Sequence, residues 1–205
     1  MNYTLLTEQL QNQSYFLWPE FLSKGEVIDL KKDLLEIRNQ SGFHRAKIGK
    51  KNEEYIEDEI RKDEIYWLNV ENANSAQRIL WNKLEQIQLA LNRNLFLGLN
   101  QFEGHYAIYP PGGFYKKHLD SFRSDNARKV TIIFYLNENW APENGGQLRI
   151  YKDKKNDKDN NNNCEYFDVN PQAGTLICFL SGELEHEVLL SHNFRYSFTG
   201  WFKSK

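Results

Sequence analysis

HYAIYPPGGFYKKHLD, residues 105–120, decides how the chain is read. His105–Tyr109 reads as a strand, and Pro110, Pro111, Gly112 and Gly113 break it. Beyond the break, His118 stands two residues before Asp120. In an extended segment, residues two apart point to the same side. An imidazole and a carboxylate can then converge on one metal ion.

The C-terminal side continues in the same style. Thr131–Leu136, Gly146–Ile150, Thr175–Phe179, Glu187–Leu190 and Tyr196–Phe202 are strand candidates, with a turn at Asn144, Gly145 and Gly146. KDKKNDKDNNNNC, 152–164, reads as a solvated loop without chemistry. The N-terminal two-fifths follow the helical period instead. Ser23 with Glu26 makes a capping box, followed by Val27, Leu30 and Leu34 at helical spacing with Ile28 and Leu35 widening the stripe. Gly42 marks the end. A second helix fits Ser75 to Leu91, with Ile79, Leu80, Leu84, Ile87 and Leu91 on its apolar face. Between the helices, His44 to Asn69 reads as short strands at each end of a mobile loop over about 44–60.

Many short strands after a helical segment predict an α+β fold. The core is a double-stranded β-helix, the jelly-roll type, with the N-terminal helices packed outside. One domain over 1–205 is expected, with 1–98 as mainly helical support and 99–205 as the core. The chain has 205 residues, long enough to bury a full core around a cavity. Lys plus Arg is 26 and Asp plus Glu 28, so the basic excess of a nucleic-acid binder is absent. There is no run of apolar residues long enough for a membrane span, and the N-terminus does not read as a signal peptide. Cys164 and Cys178 are too few for a disulfide framework, and a reducing cytoplasm is the expected setting.

A third ligand for the metal could come from another strand, and His186 in LEHEV is the candidate. Two histidines and one carboxylate form the facial triad of non-haem Fe(II) sites, with open positions opposite. Zinc accepts the same ligand types. In RYSFTGWF, 195–202, alternation puts Arg195, Ser197, Thr199 and Trp201 on one side and Tyr196, Phe198 and Phe202 on the other. An arginine on so apolar a strand needs a carboxylate partner. That partner is either an internal Asp or Glu, or a dicarboxylate cosubstrate gripped bidentately. His44, His105 and His192 have no evident partner and read as structural or surface residues. Trp67 and Trp140 read as core or rim packing.

HLD at 118–120, His186, and Arg195 nine residues later resemble the iron and 2-oxoglutarate-dependent dioxygenases. The similarity is to the prolyl 4-hydroxylase branch, which contains the oxygen-sensing hydroxylases that act on hypoxia-inducible factor. IRKDEIYWL at 60–68, YPPGGFYKKHLD at 109–120, TIIFYLNENW at 131–140, GGQLRIY at 145–151 and RYSFTGWF match in order, so the similarity runs from about 42 to 203. It implies that His118, Asp120 and His186 hold Fe(II). It also implies that Arg195 and Tyr135 bind the distal carboxylate of 2-oxoglutarate. Tyr109 and Thr199 resemble further pocket residues, and Trp201 an aromatic wall. Arg61 and Asp63 fall where the family carries a salt-bridging pair beside a substrate-covering loop.

The implied activity uses Fe(II), O2 and 2-oxoglutarate, with ascorbate as a supporting reductant, and releases succinate and CO2. The implied substrate is a prolyl residue, hydroxylated at C4, in a cytoplasmic protein or peptide. Bacterial members of the branch are linked to elongation factor Tu, a translation factor. A hydroxylase of a free amino acid or other small metabolite is the alternative. Nucleic-acid demethylases with this iron site typically carry a second arginine six residues after the cosubstrate arginine, where this chain has Trp201. The polar loop at 152–164 is longer than the family pattern, and 44–60 carries no clear substrate signature.

Overall fold

The computed structural model describes residues 3–47, 55, 57–121, 127–152 and 165–204. Residues 48–54 and 56 of the segment expected to cover the site, and all of the polar loop beyond Lys152, Cys164 included, lie outside the described residues.

Three helices precede the β-rich part: α1 Tyr3–Gln13, α2 Lys24–Asn39 and α3 Ser75–Leu95. The capping box forms as expected: Glu26 N donates to Ser23 Oγ at 3.3 Å and Ser23 N to Glu26 Oε2 at 2.7 Å. The α2 exit is a Schellman turn, with Gly42 N donating to Ile37 O and Ser41 N to Arg38 O, both at 3.0 Å. The left-handed residue there is Ser41, not Gly42. Gly42 is needed for a different reason: a Cβ would sit 2.7 Å from Ile37 Cγ2. Ile28 departs from the expected stripe and is exposed. α3 runs one turn past Leu91, stopping where Phe96 turns left-handed.

The strands among the described residues are β1 Tyr15–Trp18, β2 His44–Arg45, β3 Glu64–Trp67, β4 Gln101–Tyr109, β5 Tyr115–His118, β6 Arg128–Tyr135, β7 Leu148–Lys152, β8 Glu165–Val169, β9 Leu176–Leu180, β10 His186–Val188 and β11 Arg195–Lys203. They form a seven-stranded sheet in the order β1-β9-β6-β11-β4-β3-β2 and a four-stranded sheet in the order β5-β10-β7-β8. All ladder pairs are antiparallel. β1 and β8 were not foreseen. Both are short edge strands, and β8 adjoins the polar loop.

Period-two alternation divides the large sheet between two cores. Tyr106, Ile108, Val130, Ile132, Phe134, Phe198 and Phe202 pack with Leu6, Leu30, Leu34, Leu84 and Leu91 of the helices. Ala107, Tyr109, Ile133 and Tyr135 face the other way, onto Leu148, Ile150 and Val188 of the small sheet. The result is the jelly-roll core with helices outside. Asp33 pins the helical layer to it: buried, it accepts from Gln77 Nε2 and from the Tyr106 hydroxyl, both at 2.8 Å, and from Asn74 Nδ2.

Candidate active site

The site lies between the two sheets, and strand register sets its layout. On the inner face of the large sheet, β11 pairs with β4 and β6 so that Arg195 lies opposite Tyr109, and Ser197 opposite Ala107 and Tyr135. Further along, Thr199 lies opposite His105 and Ile133, and Trp201 opposite Glu103 and Thr131. Trp67 of β3 continues the His105 row. Arg195 and Thr199 are thus separated by about 13 Å of strand. The cleft they line has a volume of about 220 Å³.

The opposite wall carries the metal ligands. Pro110 to Gly113 forms a tight turn, with Gly113 N donating to Pro110 O at 2.7 Å and Gly112 at φ 83°. Pro at the second position and a left-handed Gly at the third fit a type II turn. The chain then enters β5, where His118 pairs in register with His186 of β10. Asp120 follows two residues on, so the extended geometry expected of the HxD pair is realised.

Ligand atoms of His118, Asp120 and His186 lie within 4.8 Å of one another. His118 Nε2 is 3.6 Å from Asp120 Oδ1, and His186 Nε2 is 3.5 Å from Asp120 Oδ2. Both Nδ1 atoms face backbone carbonyls, Lys116 O at 2.7 Å and Leu184 O at 3.1 Å. A carbonyl only accepts, so each Nδ1 carries the proton and each Nε2 lone pair is left for a metal. Thr131 Oγ1 donates to Asp120 Oδ2 at 2.8 Å and fixes the carboxylate. Burial alone would raise the Asp120 pKa, but the two imidazoles beside it hold it well below the carboxylate range. Burial, with His118 as the next cause, lowers His186 to about 4 and keeps it neutral. Two imidazole Nε2 lone pairs and a carboxylate on one side of a cleft fit a divalent metal with its other face open.

At the far end, Arg195 is 1% exposed. Its Nε donates to Gly146 O at 2.8 Å, and its Nη1 to Ser197 Oγ at 3.3 Å. No carboxylate of the described residues pairs with it. Its guanidinium lies 4.9 Å from the Tyr109 ring and 5.2 Å from the Tyr135 ring. The buried Tyr135 hydroxyl has no hydrogen-bond partner. Burial raises its pKa to about 12 against the pull of Arg195. A buried cation without a counter-ion beside an orphaned hydroxyl fits an incoming carboxylate. The internal-salt-bridge alternative for Arg195 has no support in this geometry.

Arg61 and Asp63 pair bidentately, Nε to Oδ1 at 2.7 Å and Nη2 to Oδ2 at 2.6 Å. Asp63 is 3% exposed, so this is a buried pair and not a solvated one. The Arg61 guanidinium lies 4.2 Å above the Tyr115 ring, which stacks on His118 with centroids 3.7 Å apart. Trp201 is buried at the other end of the cleft with its Nε1 unpartnered. Arg128 lies over its ring at 3.7 Å and pairs with Glu103 at 2.8 Å.

Every site residue expected from the sequence therefore lines the cleft or braces its wall. Three more were missed. Tyr115 and Arg128 carry no motif of their own, and only stacking reveals them. His105, read as structural, lines the cleft.

Residues 104–203 match the family model of the 2OG-Fe(II) oxygenase superfamily. A solved prolyl-4-hydroxylase from Pseudomonas putida is 35% identical, with a TM-score of 0.86 over 99% of both chains. A Trichoplax adhaerens prolyl hydroxylase, solved in complex with a hypoxia-inducible-factor oxygen degradation domain peptide fragment, is 23% identical. It covers 98% of this chain and 89% of that one, also with a TM-score of 0.86. The hypoxia-inducible factor prolyl hydroxylase of Caenorhabditis elegans is 29% identical over 76% of this chain, which spans only 21% of that relative's length.

Proposed function

Because this chain belongs to the 2OG-Fe(II) oxygenase superfamily, we propose that it hydroxylates C4 of a prolyl residue in a cytoplasmic protein or peptide. A translation factor such as elongation factor Tu is the expected class of target. The reading is carried by one observation, the 35% identity to a prolyl-4-hydroxylase across 99% of both chains.

The roles of the residues follow from their places. His118, Asp120 and His186 would hold Fe(II) on one face and leave the opposite face for ligands. Bound there, the iron supplies the oxygen chemistry, with 2-oxoglutarate consumed to succinate and CO2. Arg195 and Tyr135 supply charge and a hydroxyl to the distal carboxylate. Its length then sets how far its other end reaches toward the triad. Tyr109 and Thr199 narrow the channel between. Trp201 and Trp67 give the end opposite Arg195 an aromatic wall, suited to an apolar ring such as pyrrolidine. The Asp63–Arg61–Tyr115 stack braces His118 from behind.

The test is incubation with Fe(II), 2-oxoglutarate, ascorbate and host-cell lysate, then peptide mass spectrometry. A gain of one oxygen at a specific proline, absent with Asp120→Ala, is the expected result. Strong turnover of free proline or another amino acid, with no modified protein, would overturn the reading.

A further inference from the structure

His105 sits at the middle of the inner face of β4, between Trp67 of β3 and Thr199 of β11 in register. It is 5% exposed. Its ring meets Trp67 edge-on, with centroids 4.9 Å apart, and tilts against Trp201 at 5.5 Å. The imidazole therefore clusters with two indoles, themselves 6.1 Å apart, in the cleft that holds the metal ligands.

Its tautomer is fixed. Nδ1 lies 3.2 Å from Tyr106 O. A carbonyl oxygen cannot donate, so Nδ1 carries the proton and Nε2 presents a bare lone pair. Among the described residues, no group hydrogen-bonds to Nε2. Burial first, then the charge of Arg61, lowers the His105 pKa to about 4, so the ring stays neutral near pH 7. His105 lines the cleft, so a ligand bound there can supply the donor that Nε2 lacks.

We propose that His105 is a specificity-determining residue whose Nε2 accepts a hydrogen bond from a backbone N–H of the peptide substrate. The proposal rests on the prolyl-hydroxylase reading above and names what that site recognises beyond the proline ring. The surroundings select the donor. Arg61 and Arg128 are each matched by a carboxylate, Asp63 and Glu103, and the two indoles beside His105 offer apolar faces. Such a setting suits a neutral amide N–H and a pyrrolidine better than a zwitterion.

The test uses a capped pentapeptide pool, Ac-Xaa-Xaa-Pro-Xaa-Xaa-NH2, with the Fe(II)-loaded enzyme and 2-oxoglutarate. The member most hydroxylated is remade with each non-prolyl backbone nitrogen methylated in turn. One methylation should raise the wild-type peptide KM about tenfold, the worth of one hydrogen bond. His105→Phe should raise the KM of the parent peptide by the same factor and be indifferent to that methylation. His105→Gln, whose Oε1 can accept, should recover most of the affinity. The KM for 2-oxoglutarate should not change in either variant.

An unchanged peptide KM in His105→Phe, or equal losses on methylation in both enzymes, would overturn the inference while leaving the function intact. Hydroxylation of free proline with no peptide turned over would overturn both. Should His105→Phe fail to fold, the imidazole nitrogen resonances of wild type loaded with Zn(II) decide. The peptide must shift Nε2 of His105, and the methylated peptide must not.

Discussion

Arg195 and Gly146 are joined by a hydrogen bond from Nε to the carbonyl oxygen at 2.8 Å, and a Cβ at 146 would stand 3.0 Å from Arg195 Cδ. Gly146 has φ 65°, so a side chain there is strained as well as obstructed. The glycine pair at 145–146 is thus part of the cosubstrate end of the cleft, and not only a turn. Gly146→Ala should raise the KM for 2-oxoglutarate roughly tenfold through displacement of the guanidinium. Arg195→Ala should raise it about a hundredfold, the cost of losing a buried charge partner. Mn(II) affinity, measured by calorimetry, should change in neither. An unaltered 2-oxoglutarate KM in Arg195→Ala would remove Arg195 from the cosubstrate site.

Tyr135→Phe separates a ligand contact from a structural one. The hydroxyl is buried and unpartnered, so its removal forfeits no internal hydrogen bond. Thermal stability without cosubstrate should hold or rise slightly. The KM for 2-oxoglutarate should rise about tenfold. A loss of stability with unchanged KM would show that the hydroxyl serves the fold.

The triad should behave as a unit. His118→Ala, Asp120→Ala and His186→Ala should each abolish 2-oxoglutarate turnover and greatly weaken Mn(II) binding. Full activity in any of the three would refute that ligand.

Arg61 and Asp63 should show the energetics of a buried pair. Asp63→Asn leaves the Arg61 guanidinium without its counter-ion and should cost about 3–5 kcal/mol in urea denaturation. A cost near zero would mean that the pair opens to solvent. Because Arg61 braces Tyr115 against His118, Arg61→Ala should also weaken metal binding.

His105 makes apo-protein stability depend on pH. Unfolded, the imidazole titrates near 6.5, and folded near 4. Between these values the unfolded state binds more protons, so stability falls as pH drops from about 6.5 to about 4 and levels off below. The shift corresponds to about 3 kcal/mol for this site. His105→Gln should flatten that part of the profile in a chemical-denaturation series. An identical profile in wild type and variant would mean that the ring titrates alike in the folded and unfolded states.

Local signals in the sequence reported local facts faithfully. The Ser23–Glu26 capping box opens α2 where expected. The alternation in RYSFTGWF separates Arg195, Thr199 and Trp201 from Phe198 and Phe202, and the structure puts the two sets on opposite faces of β11. His118 and Asp120 share a side because the segment is extended. The full ligand set and the Arg195 role came from resemblance across ordered stretches, because spacing alone could not link His186 to Asp120 and His118, 66 and 68 positions away.

What the sequence determined by itself is whatever depends on the period of the chain or on a neighbour within a few residues. Those features are the helix cap, the tight turn at Pro110–Gly113, the sidedness of β11 and the HxD pair. Tertiary structure alone decided which strands lie beside one another, and so which inner-face residues share a row. Only that pairing brought His105 against Trp67 and Trp201, stacked Tyr115 under Arg61, and left Arg195 without a carboxylate partner among the described residues. The physical reason is that an imidazole, a tyrosine ring or a guanidinium acquires its role from the donors, charges and rings that long-range strand pairing brings to it. None of those partners is encoded within one turn of chain.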